Sequence, residues 1–239
     1  MKLTDLPRPP KVKAFTLSPD WCGLDETALR ACLKDYFTES FDRYESLFEC
    51  LASDEAFYKK PISLRHPLIF YYGHTATLFV NKLLLAKLIT ERINPRFEAM
   101  FAVGVDEMSW DDLNDAHYDW PSVSEVRAYR NQVRSLVTRL IDEAPLTLPM
   151  GWDNPWWAFI MGVEHELIHL ETSSVLIRQH QLEMIQAHAA WQPGLIISSR
   201  CDQAPENALL PVAAGKVSLG KGNPHQPAHN ANANADSHR

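Results

Sequence analysis

Four cysteines in 239 residues, Cys22, Cys32, Cys50 and Cys201, form no CxxC pair and fall far below the density of a disulfide scaffold. They read as reduced thiols, which places the chain in a cytoplasmic setting. Basic residues are also short: 23 lysines and arginines face 30 aspartates and glutamates, a formal net charge of −7. That balance repels a phosphate backbone, and no segment is basic enough to reverse it locally, so nucleic acid is excluded as a partner. No long apolar run is present. The greasiest stretch, Leu78 to Ile89, is broken by Asn81, Lys82 and Lys87, so it does not span a membrane. The opening MKLTDLPRPPKVKAF has no secretory apolar core. Convincing strand alternation is missing before residue 190.

What is present is helical periodicity. Leu29, Leu33, Tyr36, Phe37, Leu47, Phe48 and Leu51 recur at helix spacing from Asp25 to about Ala52. A second helix is expected from His66, with Pro67 in its first turn, to about Ile89. The segment 91–121 carries NPRF and DWP and reads as a long ordered connection, because Phe97, Met100, Phe101, Val103, Trp110 and Trp120 are too apolar for disorder. Ser122 and Glu125 form a capping-box pattern ahead of a third helix, with its stripe at Val126, Val133, Leu136, Val137, Leu140 and Ile141. Asn154 and Pro155 open a fourth that runs to roughly His188. Four long helices without strands predict an all-α four-helix bundle over 24–192. Around it lie an irregular arm at 1–23, a linker at 193–221, and a low-complexity tail at 222–239 that is expected to be disordered.

The chemistry is concentrated in GVEHELIHLETSSVLIRQ (162–179). His165 and His169 are four apart, so on a helix both rings leave one face and can share an ion. Ala158, Met161, Ile168 and Leu176 fall on the same face, which predicts that the pair looks into the core. A third candidate is His74 in YYGHTATLF, on a face with Phe70, Tyr71, Leu78 and Leu85; Gly73 beside it permits a close neighbour. His117 is a rival third ligand. His66 lies eight residues from His74, about 12 Å of helix rise, too far to share an ion. His180, His188 and the tail histidines read as solvated.

Two patterns mislead. His165-Glu166-Leu167-Ile168-His169 matches the zinc-protease motif HExxH, but Thr172 and Val175 stand where the metzincin glycine and third histidine would be. Only Glu183 and Glu206 offer a downstream carboxylate. GKVSLGK (215–221) looks like a phosphate loop, yet Gly222 replaces its Ser or Thr and no helix follows. Glu171 lies roughly 200° round the helix from His169, a supporting residue rather than a ligand.

The forms HxxxHxE (165–171) and GHTA (73–76), with RHPLIFYYGHTATLFVNKL (65–83), INPRFEAMFAVGVDEMSWDDLNDAHYDWP (93–121) and GKVSLGK, resemble the ergothioneine and ovothiol sulfoxide synthases. The match is closer to the ovothiol branch, 5-histidylcysteine sulfoxide synthase. The resemblance implies a DinB-like bundle followed by a formylglycine-generating-enzyme-like domain. It also implies a non-haem Fe(II) held by His74, His165 and His169, with cysteine, histidine and O₂ as substrates. GKVSLGK resembles the first strand of that second domain, after which the sequence departs from the family. The expectation is therefore a truncated or split enzyme, its missing half supplied by a separate chain, that does not turn over alone. A non-catalytic metal-binding module and a DinB-like metal-dependent hydrolase or thiol transferase are the competing readings.

Overall fold

The computed structural model describes residues 24–102, 118–148, 153–191, 209–211 and 213–215. The expected arm, the expected disordered tail, most of the linker with residues 216–221 of GKVSLGK, and His117 lie outside the described residues. Six α-helices are present in the described part: α1 (Glu26–Phe48), α2 (Glu55–Tyr58), α3 (Leu68–Leu85), α4 (Pro95–Met100), α5 (Val123–Glu143) and α6 (Trp157–Arg178). Among the described residues there is no strand, only one antiparallel bridge between Leu51 and Ile185. No described helix is long and apolar enough to cross a membrane.

The long helices α1, α3, α5 and α6 make the bundle. Both α1 and α3 pack against α5 and α6, so they hold opposite corners. Phe37 of α1 meets Phe79 of α3 across the middle, edge to face with ring centroids 5.4 Å apart, and Phe41 and Phe159 close the cluster. Edge-to-face pairs add directional preference to the area they bury. Gly162 of α6 sits where a Cβ would collide with the Phe79 ring, so glycine sets how closely α6 and α3 approach there.

The termini follow their caps. Asp25 Oδ1 accepts from Ala28 N–H at α1, and the Ser122–Glu125 capping box forms in full at α5. Asn94 and Pro95 start α4 inside the segment expected to be a connection, with Asn94 Oδ1 accepting from Phe97 N–H. The second helix stops at Leu85, short of Ile89. Lys87 takes the left-handed conformation (φ 60°), Leu88 N–H reaches the Leu83 carbonyl, and Lys87 N–H reaches that of Leu84. This is a Schellman stop with lysine in the glycine place.

The fourth helix is shorter than expected at both ends. Asn154 Oδ1 accepts from Trp156 N–H in a tight turn ahead of the helix, but the expected cap is displaced: α6 begins at Trp157 with Trp156 as its N-cap, which makes no side-chain cap bond. It ends at Arg178 because the His180 ring takes over the local hydrogen bonding. Nε2 donates to the Ala56 carbonyl while Nδ1 accepts from Gln181 N–H. The solvated placement of His180 is thus corrected: it is buried, a structural clamp between α6 and α2. His188 is half-buried and pairs with Glu49.

The bundle is tied together by Arg130 of α5, which is fully buried. Its guanidinium donates to Glu45 of α1 (2.9 Å), to the Tyr72 carbonyl and Thr75 Oγ1 of α3 (2.9 Å each), and to Glu166 of α6 (2.8 Å). It also lies 4.2 Å over the centre of the Phe41 ring. Burial works against the charge, but the Glu166 and Glu45 carboxylates outweigh it and hold the Arg130 pKa above its ordinary value. Glu166 is pushed up by its own burial, against the pull of Arg130. Removing one partner of such a buried pair typically costs ~3–5 kcal/mol. Arg130→Met should lower the unfolding free energy by an amount of that order in urea melts. Adding Glu166→Gln should recover part of it, since a neutral amide no longer leaves a buried charge unpaired.

Candidate metal centre

His74 projects from α3, and His165 and His169 from α6. The three rings meet: centroid separations are 4.9 Å (His74–His165), 4.7 Å (His74–His169) and 4.4 Å (His165–His169). One nitrogen from each lies within 4.8 Å of the other two. A single ion at ~2.0–2.2 Å from each nitrogen needs only small side-chain adjustments from this arrangement.

The close approach that Gly73 permits is made by an aromatic ring at the end of α4. A Cβ on Gly73 would lie 2.5 Å from the Phe101 ring. With that ring seated on Gly73, the Phe101 carbonyl accepts from His74 Nδ1–H at 2.6 Å. The tautomer is thereby fixed, and Nε2 keeps its lone pair for an ion. Phe70 stacks on the other side of His74 at 5.0 Å. His165 Nδ1 is buried without a hydrogen-bond partner, the kind of orphan that costs ~1–3 kcal/mol unless something occupies the site. His169 Nδ1 has only a marginal contact, 3.4 Å from Thr172 Oγ1. The donor set fits a divalent cation.

Electrostatics keep the rings neutral. Burial, then the neighbouring His169 and His74, then Lys82, push the His165 pKa from 6.5 down to about 3. Burial and His74 bring His169 to about 3, and His74 is lowered mainly by burial, against the Phe101 carbonyl.

The expected inward face is half right. Leu176 is buried, but Met161 and Ile168 are 51% and 60% exposed, and Leu85 on the His74 row is 76% exposed. The buried stripe of α6 is Phe159, Gly162, Val163, Glu166, Ser173 and Ile177. His165 and His169 border it, half-buried, rather than lie at its centre. Glu171 is exposed, and its side chain makes no hydrogen bond among the described residues. The carboxylate with a visible role is Glu166, which turns away from the rings to Arg130; a zinc-protease base would have to face the ion. His66 is buried against Phe70 and Trp120, outside the ring cluster, and Glu183 is exposed at a distance from it in sequence. Sequence reasoning missed Arg130, though its place between Val126 and Val133 in an apolar stripe was a usable signal. The Phe101 carbonyl carried no signal at all.

A strand-free bundle with three histidines from two of its helices defines a class, and the chain belongs to the DinB superfamily, whose family model matches residues 36–173. Over 139 residues it is 30% identical to ergothioneine biosynthesis protein 1 of Neurospora crassa. That match covers 56% of this chain, and the chain spans 16% of the length of that relative.

The depressed pKa values set a pH dependence for the metal-free protein. Unfolded imidazoles take protons as pH falls through about 6.5, while the folded rings resist until about 3. Protons therefore bind the unfolded state first, and stability present above pH 6.5 drains as the pH falls toward 3. The melting temperature should fall between about pH 7.5 and about pH 5, and fall less in a His165→Asn/His169→Asn variant. Equal falls in both proteins would show that the rings are not the cause.

Proposed function

We propose that this bundle is the iron-holding part of a sulfoxide synthase of the ergothioneine and ovothiol type, in its ovothiol branch. His74, His165 and His169 hold a non-haem Fe(II), and cysteine, histidine and O₂ are the substrates. The observation that carries this reading is the convergence of three neutral imidazoles from α3 and α6, one with its tautomer set by Phe101. The relative named for ergothioneine biosynthesis, and the HxxxHxE and GHTA motifs, support the same reading. The reduced-thiol pattern agrees with a cytoplasmic enzyme.

The proposed reaction joins the cysteine sulfur to a histidine ring carbon and consumes one O₂. A cysteine S–H and a histidine ring C–H are lost, a C–S bond forms, and sulfur gains one oxygen. O₂ accepts four electrons in all, leaving its second oxygen as water. Iron bound by the three rings would supply open positions for thiolate and O₂ and the redox chemistry between them. The chain's own contribution is orientation and environment. Phe101 holds the His74 ring, burial keeps all three rings unprotonated, and Phe70 and Phe101 shield one side from water.

The opposite flank is different: Met161, Ile168 and Val175 are exposed on the same helix as His165 and His169. Orienting two small polar substrates needs surface on that side too, and orientation supplies several kcal/mol of such a barrier. This supports a bundle that supplies the ion while a further domain completes the cleft.

Anaerobic loading should give one Fe(II) per chain. His74→Ala, His165→Ala and His169→Ala should each abolish stoichiometric binding, whereas His188→Ala should retain it, all by metal analysis after gel filtration. Protein purified in air should carry zinc or nickel, as the Irving–Williams order favours both over iron. One-to-one metal in any of the three ring variants would exclude this ligand set. Iron-loaded chain incubated with cysteine, histidine and O₂ should yield less than one equivalent of 5-histidylcysteine sulfoxide by mass spectrometry. Stoichiometric product would show that the bundle needs no further domain.

A further inference from the structure

A cavity of about 570 Å³ opens between α3 and α4, with His74 in its wall. Its lining is unusual in charge. Arg92 donates to Glu98 Oε2 (2.9 Å) and to Asn81 Oδ1 (2.8 Å), and Glu98 Oε1 accepts the backbone N–H groups of Ile93 and Asn94. Asn81 Nδ2 donates to the Glu98 carbonyl, and Thr77 Oγ1 to Tyr129. Every charged and hydroxyl or amide side chain of the wall is thus engaged, except one. Lys82, half-buried two turns along α3 from His74, makes no ion pair or hydrogen bond among the described residues.

A chain of net charge −7 offers many carboxylates, yet this ammonium has none among the described residues. Among the described residues the cavity therefore carries one positive charge that no carboxylate meets, on the same wall as His74, with Leu78, Phe101 and Ala102 supplying apolar surface around it. Lowered dielectric near such a wall strengthens the pull of that charge on an anion. Lys82 and His74 line the same cavity, so the ammonium and one of the three rings face a common space. A substrate that puts a thiol on an ion at the rings and a carboxylate into the cavity would meet both.

We propose that Lys82 is the anchor for the α-carboxylate of the amino-acid thiol, and that it orients the sulfur toward the three rings. This rests on the reading of the ring cluster as a thiol-binding metal centre. Lys82 is a positioning and specificity residue; it does not touch the reacting atoms. One charge-assisted hydrogen bond of this kind corresponds to about a tenfold preference for a carboxylate-bearing ligand.

The test uses the full chain loaded with Co(II), titrated with L-cysteine and with cysteamine, which has the same thiol and amine but no carboxylate. The readout is the sulfur-to-cobalt charge-transfer absorption. Wild-type protein should bind cysteine about tenfold tighter than cysteamine. Lys82→Gln should bring the ratio near one by weakening cysteine alone, and Lys82→Arg should keep most of the preference. An unchanged ratio in Lys82→Gln, or equal loss for both thiols, overturns the assignment of Lys82 while leaving the metal centre standing. Absence of a thiolate band from cobalt-loaded wild type overturns the metal-centre reading and this proposal with it.

Discussion

The packing of the bundle depends on where a single guanidinium goes. Arg130 has no water to fall back on, so its donors have to find acceptors on α1, α3 and α6 together. That requirement fixes the axial register of four helices against one another, something apolar side chains do only loosely. A buried charge network is poor evidence for extra stability but a good device for a unique arrangement, because every slipped register leaves a charge unpaired. Phe41 beneath the guanidinium and Tyr44, which donates to the Tyr71 carbonyl, extend the same constraint along α1.

The site inherits its geometry from this network. On α6 the residues at 165 and 169 point to one side, and residue 166, about 100° on, points to another. Because Glu166 is claimed by Arg130, α6 is held in the rotation that brings His165 and His169 to His74. The HExxH spelling is therefore used for two separate purposes, with the glutamate in the bundle's structural core and the histidines at its chemical edge. A motif defined by spacing alone does not distinguish this from a protease helix; the orientation of the middle residue does.

Aromatic residues do the finer positioning. Gly73 and Gly162 are both filled by phenylalanine rings, Phe101 and Phe79. The first seats a carbonyl on His74, and the second sets the spacing of the helices that carry the three rings. Neither glycine lies in a turn, and their value is the absence of a side chain at a close approach.

The apolar period, the capping box at Ser122 and the HxxxH spacing are local properties, and the sequence by itself determined them, since each depends on residues within a few turns of one another. The four long helices of the bundle and the pairing of His165 with His169 follow from that, whereas the short helices α2 and α4 were not anticipated. Where α6 ends was not legible, because the stop is made by His180 reaching Ala56, 124 residues away. The rotation of α6 was misjudged for the same reason: Met161 and Ile168 are as apolar as Phe159 and Val163, and only the partner helices decide which row is covered. The role of Phe101 rests on a backbone carbonyl, which every residue has and no side-chain pattern reveals. The convergence of His74 with the α6 pair and the diversion of Glu166 to Arg130 were decided by tertiary structure alone, since each arises from contacts between helices distant in the chain.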